Sequence, residues 1–425
     1  MFYREKERDI PVAGEYGVIV CGSGPAGLCA AVKAGRMGVK TLIIEYNNSV
    51  GGMSTSGLMS HWTGSVTSRM YAEILSRMAD ANEGEKKGKI APYIDPEKLK
   101  GIYLDMLKDA GVDILLYTFV CGAIVEGGTV KGVITESKSG RRVFTAKAVV
   151  DGTGDGDVAA FAGAPYHKGR ESDGRMQPST LMFKVGGVDK SRMVLLGSFE
   201  STYQTDKGEL QALAREHIPY PAGHLLVYDN PLPGIITCNM TNCTEMDGTS
   251  AEDLTRAEIV CRSQMPKIVE YLRGYVPGFE DCYIISAGSM MGVRETRHFE
   301  GEYTLTEDDV LQARVFDDWV VRDARFNFDV HNLTGAGLDA TGVQHKWTQK
   351  LGYTIPYGCL LPKNIDGLLL SGRNISGTHL AHSNYRVMPI CAGIGEAAGA
   401  AAAIAVGSGV RLRDVKAGDI QKELI

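Results

Sequence analysis

The residues with the clearest chemical meaning stand near the start of the chain, in the motif Gly22-Ser23-Gly24-Pro25-Ala26-Gly27. It follows the apolar run 18–21 and opens an Ala-rich segment, and a second apolar run ends at Glu45, 23 residues after Gly22. In this order, glycines let the backbone approach a pyrophosphate at a helix start, and the acid accepts hydrogen bonds from a ribose diol. The sequence predicts a dinucleotide site; a glycine-rich turn without ligand does not explain the acid.

Two further glycine-containing stretches are predicted to lie near the same edge of the sheet as this motif. Gly51-Gly52 comes soon after Glu45 and predicts a second loop passing close to a bulky cofactor. The sequence TGDGD at 153–157 follows the buried run 148–151. Because open α/β sheets bind ligands beyond the carboxyl ends of their strands, we expect these segments to meet at one edge.

The elements that must position these residues alternate between strand and helix up to about residue 163. Asp95 and Pro96 predict the start of a helix that continues to about 110. A second helix is predicted at 66–82. The predicted strands are 18–21, 39–44, 112–117, 119–126, 130–137, 142–146 and 148–151. The run 119–146 predicts a three-stranded meander.

The middle of the chain lacks this alternation. It contains a predicted strand at 179–187 and a long helix at 250–274, which Pro266 is expected to interrupt. Buried-strand character returns at 353. We therefore predict an α/β fold with a Rossmann-like FAD/NAD(P)-binding domain, discontinuous over 1–163 and 353–425, and an inserted α+β substrate or cap domain at 164–352.

Composition narrows the class of protein. The 425 residues suffice for two or three domains, and a hydrophobic fraction of 44% suits a globular core. A net charge of -6 gives no general attraction to nucleic acid or anionic membrane. The charged N-terminus predicts no secretory signal, and the apolar run 390–406, which contains Glu396, is expected to be too short and too weakly apolar to span a bilayer.

The nine cysteines form no CxxC motif and no zinc-like spacing. We therefore predict no metal site. An odd, scattered set of thiols favours a reducing, cytoplasmic setting.

Taken together, the chain resembles the FAD-dependent oxidoreductases of the glutathione-reductase-like fold, and more narrowly those related to fumarate-reductase-type flavoproteins. The resemblance covers essentially the whole chain. It is carried by GSGPAG with Glu45, Gly51-Gly52-Met53, TGDGD, GVRETRHFEGEYTLTEDDV at 292–310 and GRNISGTH with RVM at 372–388. It implies an FAD enzyme, a dehydrogenase or reductase, that acts on a small organic substrate by hydride transfer to or from the flavin.

The resemblance also implies which residues contact the cofactor. Val387 and Met388 would present backbone N–H groups to the flavin edge, since the helix after Pro389 stabilises negative charge there. The full implied set is Gly22, Ser23, Gly24, Pro25, Ala26, Gly27, Glu45, Tyr46, Gly52, Met53, Val120, Gly154, Asp155, Arg373, Asn374, Val387 and Met388.

Departures from related flavoproteins restrict the chemistry. The segment 53–62 has no cysteine pair, which argues against disulfide reduction, and no second GxGxxG supports a tightly bound pyridine nucleotide. We expect FAD to be non-covalent, with a covalent link through His61 as the minor alternative.

Four residues are the catalytic candidates: His379, Arg294, Arg297 and Arg386. The arginines could hold a carboxylate or a developing enolate, and His379 could carry a proton. In the structural alternative, 294–297 is an Arg–Glu network joining the two domains, and His379 only packs. Weaker candidates are His61, His345, Tyr357 and His382.

Two other functions stay open at this point. One is a nucleotide-binding scaffold without turnover, and the other is an NAD-binding enzyme of the same fold, resembling thiazole-forming proteins. The sequence leaves the substrate, the electron acceptor, the reaction direction and the formation of a homo-oligomer undecided.

Overall fold

The computed structural model describes Tyr3 and residues 7–81, 93–339 and 347–425. His345 lies outside the described residues. The strands are β1 (Val12–Cys21), β2 (Thr41–Ile44), β3 (Ser65–Thr67), β4 (Asp113–Leu115), β5 (Phe119–Glu126), β6 (Thr129–Glu136), β7 (Arg142–Asp151), β8 (Tyr166–Lys168), β9 (Phe183–Gly186), β10 (Gln204–Thr205), β11 (Gly208–Glu209), β12 (Val227–Asp229), β13 (Ile236–Cys238), β14 (Tyr283–Ala287), β15 (Arg297–Phe299), β16 (Trp319–Arg325), β17 (Tyr353–Pro356) and β18 (Leu368–Leu370). The α-helices are α1 (Pro25–Arg36), α2 (Arg69–Ala81), α3 (Pro96–Asp109), α4 (Asp157–Phe161), α5 (Leu210–His217), α6 (Ala251–Tyr275), α7 (Glu307–Leu311), α8 (His379–Tyr385), α9 (Met388–Ser408) and α10 (Ala417–Leu424).

The main sheet has the order β4-β2-β1-β7-β6-β5, with β18 also paired to β7. The pairs among β4, β2, β1, β7 and β18 are parallel, whereas β5, β6 and β7 pair antiparallel. The end of β1 and the whole of β2 are buried, as expected for parallel strands covered by helices on both faces. The predicted α/β class with a parallel sheet is confirmed.

Three local predictions need correction. Runs 142–146 and 148–151 form one strand, β7, whose first half pairs with β6 and whose second half pairs with β18. The predicted helix 66–82 begins with β3, because that segment pairs with β16, and becomes helical only at Arg69. Pro266 does not interrupt α6, which runs from Ala251 to Tyr275. The Asp95 cap of α3 is confirmed by hydrogen bonds from the N–H groups of Glu97 and Lys98.

The buried apolar residues form two clusters. One joins the main sheet to α1, α3 and α9, and the other lies between Leu181 and Cys282, around the antiparallel sheet β12-β13-β9-β14 with α5 and α6. Phe299, Val321 and Phe328 pack in the first cluster, although they fall within the segment 164–352. This packing favours an inserted unit that ends before β15, and the domain boundaries stay a prediction.

Helix α9 lies at the centre of the first cluster. A Cβ atom on Gly395 would come within 2.0 Å of the Ala26 carbonyl oxygen, and one on Gly399 within 2.3 Å of the Ala30 oxygen. Among the described residues, α9 alone is long and apolar enough to cross a membrane, yet 83% of its apolar window is buried in the protein. The prediction that this run is too short and too weakly apolar was therefore wrong by length and composition, because the helix extends from Met388 to Ser408. Burial against α1 makes α9 a core helix.

Candidate functional site

The Gly22–Gly27 motif forms a tight turn between β1 and α1. Gly22 has φ +86°, and a Cβ atom there would lie 2.4 Å from the Gly152 oxygen. A Cβ atom on Gly27 would lie 2.0 Å from the Gly22 oxygen, so α1 can rest on β1 only with glycine here. A Cβ atom on Gly24, by contrast, meets no atom within 4 Å. The turn is therefore closed towards the protein and open on its outer side.

The second glycine loop joins this turn. The Gly51 N–H donates to the Ser23 carbonyl at 2.9 Å, and a Cβ atom on Gly52 would come within 2.9 Å of the Gly24 Cα. The N-cap of α1 is Gly24, which has no capping side chain. These features fit a pyrophosphate, because a side chain at Gly24 would occupy the open space and an uncapped helix start favours an anion.

Glu45 is buried directly after β2. Its Oε2 accepts hydrogen bonds from Ser23 N–H at 2.9 Å and Ser23 Oγ at 2.6 Å, and its Oε1 accepts two from Asn47. The carboxylate is thus fixed beside the glycine turn, where the ribose assignment requires it. That assignment stays a prediction.

Four further predicted cofactor residues, Gly154, Asp155, Arg373 and Asn374, follow the carboxyl ends of β7 and β18. Asp155 accepts hydrogen bonds from Arg373 and Thr296, each at 2.6 Å. The Asn374 amide donates to the Asp151 carbonyl at 2.9 Å, so its side chain joins the two strand ends. Val387 is the N-cap of α9 and, like Gly24, offers no side-chain cap. Tyr46 and Phe119 meet edge to face at 6.2 Å on the exposed side.

The structure separates the two arginines of the GVRETR motif. Arg297 donates to the Asp155 carbonyl and to the Asp157 carboxylate, both at 2.8 Å, and lies over the Tyr166 ring. These contacts tie β15 to the end of β7. Arg297 therefore has a structural partner for its charge, and it does not meet Arg294.

Arg294 instead donates to the Pro178 carbonyl and lies within electrostatic reach of Arg386, which follows α8, and of Asp329. Arg386 donates to the Asp329 carboxylate at 2.8 Å, and His331 lies 3.4 Å from the same carboxylate. Burial, with the nearby charge of Arg386, lowers the pKa of Arg294 to about 10. Burial also lowers the pKa of His331 to about 4, so His331 is neutral at pH 7. Arg386 forms an ion pair with Asp329, whereas Arg294 donates to a backbone carbonyl. Two arginine charges therefore lie near one carboxylate, which leaves an excess of one positive charge.

Several buried polar atoms near this arginine pair have no hydrogen-bond partner within the described part of the chain. They are Arg386 Nε, Gln177 Nε2, His224 Nδ1 and His382 Nδ1. Gln177 also connects two groups of residues, since its N–H donates to Glu295 and its Oε1 accepts from His331 N–H. Of these atoms, Arg386 Nε and the Gln177 amide are donors. An unsatisfied buried donor is costly, so these two donors beside an excess positive charge suit a polar, anionic ligand.

His379 lies at the first turn of α8, seven residues before Arg386 and thus about 10 Å from it along the helix. Its Nδ1 is 2.6 Å from Glu295 Oε1, and His298 Nε2 is 2.8 Å from the same oxygen. The structural alternative of an Arg–Glu network does not describe Glu295, whose carboxylate contacts two histidines. Burial raises the pKa of Glu295, but the hydrogen bonds from His298 and His379 outweigh it and lower that pKa well below its usual range.

The weaker catalytic candidates make contacts that are typical of structural residues. Tyr357 donates to the Leu412 carbonyl at 2.8 Å in the core. His61 packs edge to face on Tyr228 at 4.6 Å, and burial lowers its pKa to about 4. His382 is buried, and its pKa is lowered well below the usual range for the same reason.

Sequence reasoning missed several residues of the site. Asp329, His331 and Gln177 belong to irregular segments whose sequence shows no recognisable motif, and nothing in it pairs them with Arg386. Glu295 and His298 could have been found, because they belong to the 292–310 motif and alternate with the two arginines.

Comparison with known proteins places the whole chain in one family. The family model described as FAD dependent oxidoreductase matches residues 17–424. Digeranylgeranylglycerophospholipid reductase 1 of Methanococcoides burtonii is 28% identical over 200 residues, which are 41% of this chain and 46% of that protein. Thiamine thiazole synthase of Methanococcus maripaludis is 32% identical over 149 residues, covering 32% of this chain and 55% of that protein. The chain thus spans about half the length of these relatives.

Among solved structures, a geranylgeranyl bacteriochlorophyll reductase-like protein from Thermoplasma acidophilum superposes with a TM-score of 0.49 at 15% identity. The superposition covers 96% of this chain and 82% of that one. The family match over residues 17–424 agrees with the glycine turns, with the parallel sheet and with the resemblance expected from the motifs. The chain belongs to the FAD-dependent oxidoreductase family.

Proposed function

We propose that this protein is a dehydrogenase or reductase that acts on a small organic anion. The observation that carries the proposal is the excess positive charge of Arg294 and Arg386: Arg386 forms an ion pair with Asp329, and buried Arg294 lies within electrostatic reach of both but donates to a backbone carbonyl. A substrate carboxylate beside them would neutralise the excess charge and accept hydrogen bonds from Arg386 Nε and the Gln177 amide, which lack partners. Arg386 directly precedes Val387, the N-cap of α9, where the flavin edge is expected.

Bound FAD supplies the hydride acceptor or donor. The chain's own residues orient the substrate and move its proton. Arg294 and Arg386 hold the anionic group, while His379 takes a proton from the substrate in oxidation or returns one in reduction. Asp329 keeps the arginine pair from carrying two uncompensated charges when no substrate is bound.

The proposal is tested by anaerobic flavin bleaching with pairs of small organic acids and their neutral amides. We expect at least one acid to bleach the flavin, and its amide to react at least 100-fold more slowly. Arg294→Gln and Arg386→Gln should each lose about 100-fold in efficiency, or about 2.7 kcal/mol, with FAD content unchanged. Arg411→Gln, an exposed arginine, is the matched control. Equal rates for acid and amide would refute the anion assignment.

The cofactor itself is tested separately. Denaturation of the purified protein should release FAD, which would also show that the link is non-covalent. Release of NAD would favour the thiazole-forming alternative, whose relatives match about a third of this chain. A bound flavin that no metabolite reduces or reoxidises would favour the scaffold.

The cellular location and the oligomeric state of the protein are also proposals. All nine cysteines are unpaired, and eight of them are buried, which suits a reducing, cytoplasmic location. The identity of the electron acceptor and the formation of a homo-oligomer can each be measured directly.

A further inference from the structure

A buried cluster of Glu295, His298 and His379 lies next to the proposed substrate site. The side chains of Glu295 and His298 are 0% and 1% exposed, and that of His379 is 8% exposed. Oε1 of Glu295 contacts both imidazoles, and Oε2 accepts the Gln177 N–H at 2.9 Å. Three donors therefore converge on one carboxylate, an arrangement that stabilises its ionised form.

The hydrogen bonds of His298 determine its protonation. Its Nδ1 lies 3.0 Å from the Gly377 carbonyl oxygen, and its Nε2 lies 2.8 Å from Glu295 Oε1. A carbonyl oxygen and a carboxylate can only accept, so both nitrogens must carry a proton. His298 is then an imidazolium, and it forms a buried ion pair with Glu295.

The same carboxylate fixes the tautomer of His379. Because Glu295 accepts from Nδ1 at 2.6 Å, Nδ1 carries the proton and Nε2 has the lone pair. Nε2 makes no hydrogen bond to any residue that the structure describes. The cluster thus leaves one nitrogen of His379 free to accept a proton.

We propose that Glu295 and His298 are positioning residues that hold His379 with its proton on Nδ1 and its Nε2 available as the proton acceptor of the site. This inference rests on the proposed function for the role of His379 in the reaction, but not for the protonation states themselves.

The other titratable groups around the cluster are compatible with a single ion pair. His167, on β8, stacks on His298 at 5.2 Å, and His382, on α8, meets the same ring edge to face at 5.0 Å. Burial keeps His382 neutral. Glu171, which is exposed, accepts the His379 backbone N–H at 3.2 Å and leaves its imidazole to Glu295.

A metal ion is the competing explanation for these contacts. Glu295, His298 and His382 offer ligand atoms within 4.8 Å of one another. Two ligands of one tetrahedral zinc ion, each at about 2.1 Å, would lie about 3.4 Å apart. Within this group, the 2.8 Å separation from Glu295 Oε1 to His298 Nε2 is a hydrogen-bond distance, so a proton between them fits better than a metal.

Nitrogen NMR of the FAD-bound protein, labelled with ¹⁵N-histidine, tests the protonation states without a substrate. At pH 7.5 we expect His298 to be protonated on both nitrogens and His379 on Nδ1 only, with signals assigned through His298→Asn and His379→Asn. Neutral His298 or an Nε2–H tautomer of His379 in the unmodified protein would overturn the inference. So would a change in these signals on adding equimolar Zn²⁺ that persists after dialysis.

Kinetics then tests the positioning role. Once a bleaching substrate is known, His379→Asn should slow flavin reduction at least 100-fold, and Glu295→Gln about 10-fold or more, with the substrate KM nearly unchanged. The Glu295→Gln protein should also lose the doubly protonated His298 signal. His217→Asn, on α5, is the control. A Glu295→Gln protein with normal kcat would overturn the positioning role, whereas failure of every anion to bleach the flavin would count against the proposed function alone.

Discussion

The glycine turns and the arginine–histidine site depend on different kinds of interaction. The turns around Gly22, Gly24 and Gly52 depend on backbone approach, in which a single added carbon would meet a carbonyl or a Cα atom or fill the open space. The site around Arg294, Arg386 and Glu295 depends on buried charges and directed hydrogen bonds between segments far apart in the chain. The glycine positions of the first region must stay free of side chains, whereas the second region consists of contacts between side chains.

This difference determines how each region can fail. An added methyl group at Gly22 or Gly52 has no room, so the surrounding backbone must move apart, whereas one at Gly24 would take the open space beside the turn. In the second region a substitution can keep the shape and still remove a charge or a proton. We therefore expect changes in the first region to act on folding and cofactor retention, and changes in the second to act on turnover and on pH dependence.

The largest expected effect concerns α9. Gly395→Ala should destabilise the protein by about 3 kcal/mol, since its Cβ would lie 2.0 Å from the Ala26 oxygen and 2.7 Å from the Ala26 carbonyl carbon. Gly407→Ala on the same helix meets no atom within 4 Å and should stabilise it by about 0.5 to 1 kcal/mol. Urea unfolding of both variants measures the difference. Equal effects would show that the α1–α9 approach is not limiting.

Cofactor retention gives the next largest effect. Glu45→Arg replaces a buried carboxylate with a cation beside the glycine turn and should weaken FAD binding at least 100-fold. Glu126→Arg makes the same charge change at an exposed position of β5 and should leave FAD content normal. Flavin absorbance per protein after gel filtration is the measurement. Stoichiometric FAD in the Glu45→Arg protein would remove Glu45 from the cofactor site.

The first region could be predicted from the sequence because its signals are local. The turn, the helix and the strand after it lie within residues 16–45. Each tightly packed glycine is required by the close approach of an atom in the same unit or on the adjacent strand. The errors arose where tertiary pairing overrides local pattern. β7 is one strand because β6 and β18 both pair with it, and β3 exists because β16 is present.

The second region could be predicted only in part. Arg294, Arg386 and His379 were found through their motifs, but their partners were not. Nothing in the sequence indicates that Arg294 lies in the electrostatic field of Arg386 and Asp329, since this depends on how the inserted segment folds onto α8. Asp329 and His331 gain their roles through that contact alone, because they lie near a charge that comes from 57 residues further along the chain.

The smallest effect is a pH dependence confined to the second region. His224 is buried against Phe199, with Nε2 3.0 Å from the Asn239 carbonyl, and burial lowers its pKa to about 4 from an ordinary 6.5. Because the unfolded chain binds the proton first, stability falls as the pH drops from about 6.5 towards 4. Between pH 7.5 and 5 this should cost about 2 kcal/mol.

His224→Gln removes the titrating group and keeps a hydrogen-bond donor for Asn239. The variant should therefore lose about 2 kcal/mol less than the unmodified protein between pH 7.5 and 5, by urea unfolding at both values. His331, His61 and His382 titrate in the same direction in both proteins, so the difference isolates His224. Glu295 acts in the same sense only at lower pH, since its lowered pKa stabilises the fold above about 4.5 and that stability is lost as the pH falls further. Parallel losses in both proteins would mean that His224 is protonated in the folded state. The acid sensitivity would then belong to the other buried histidines of the second region.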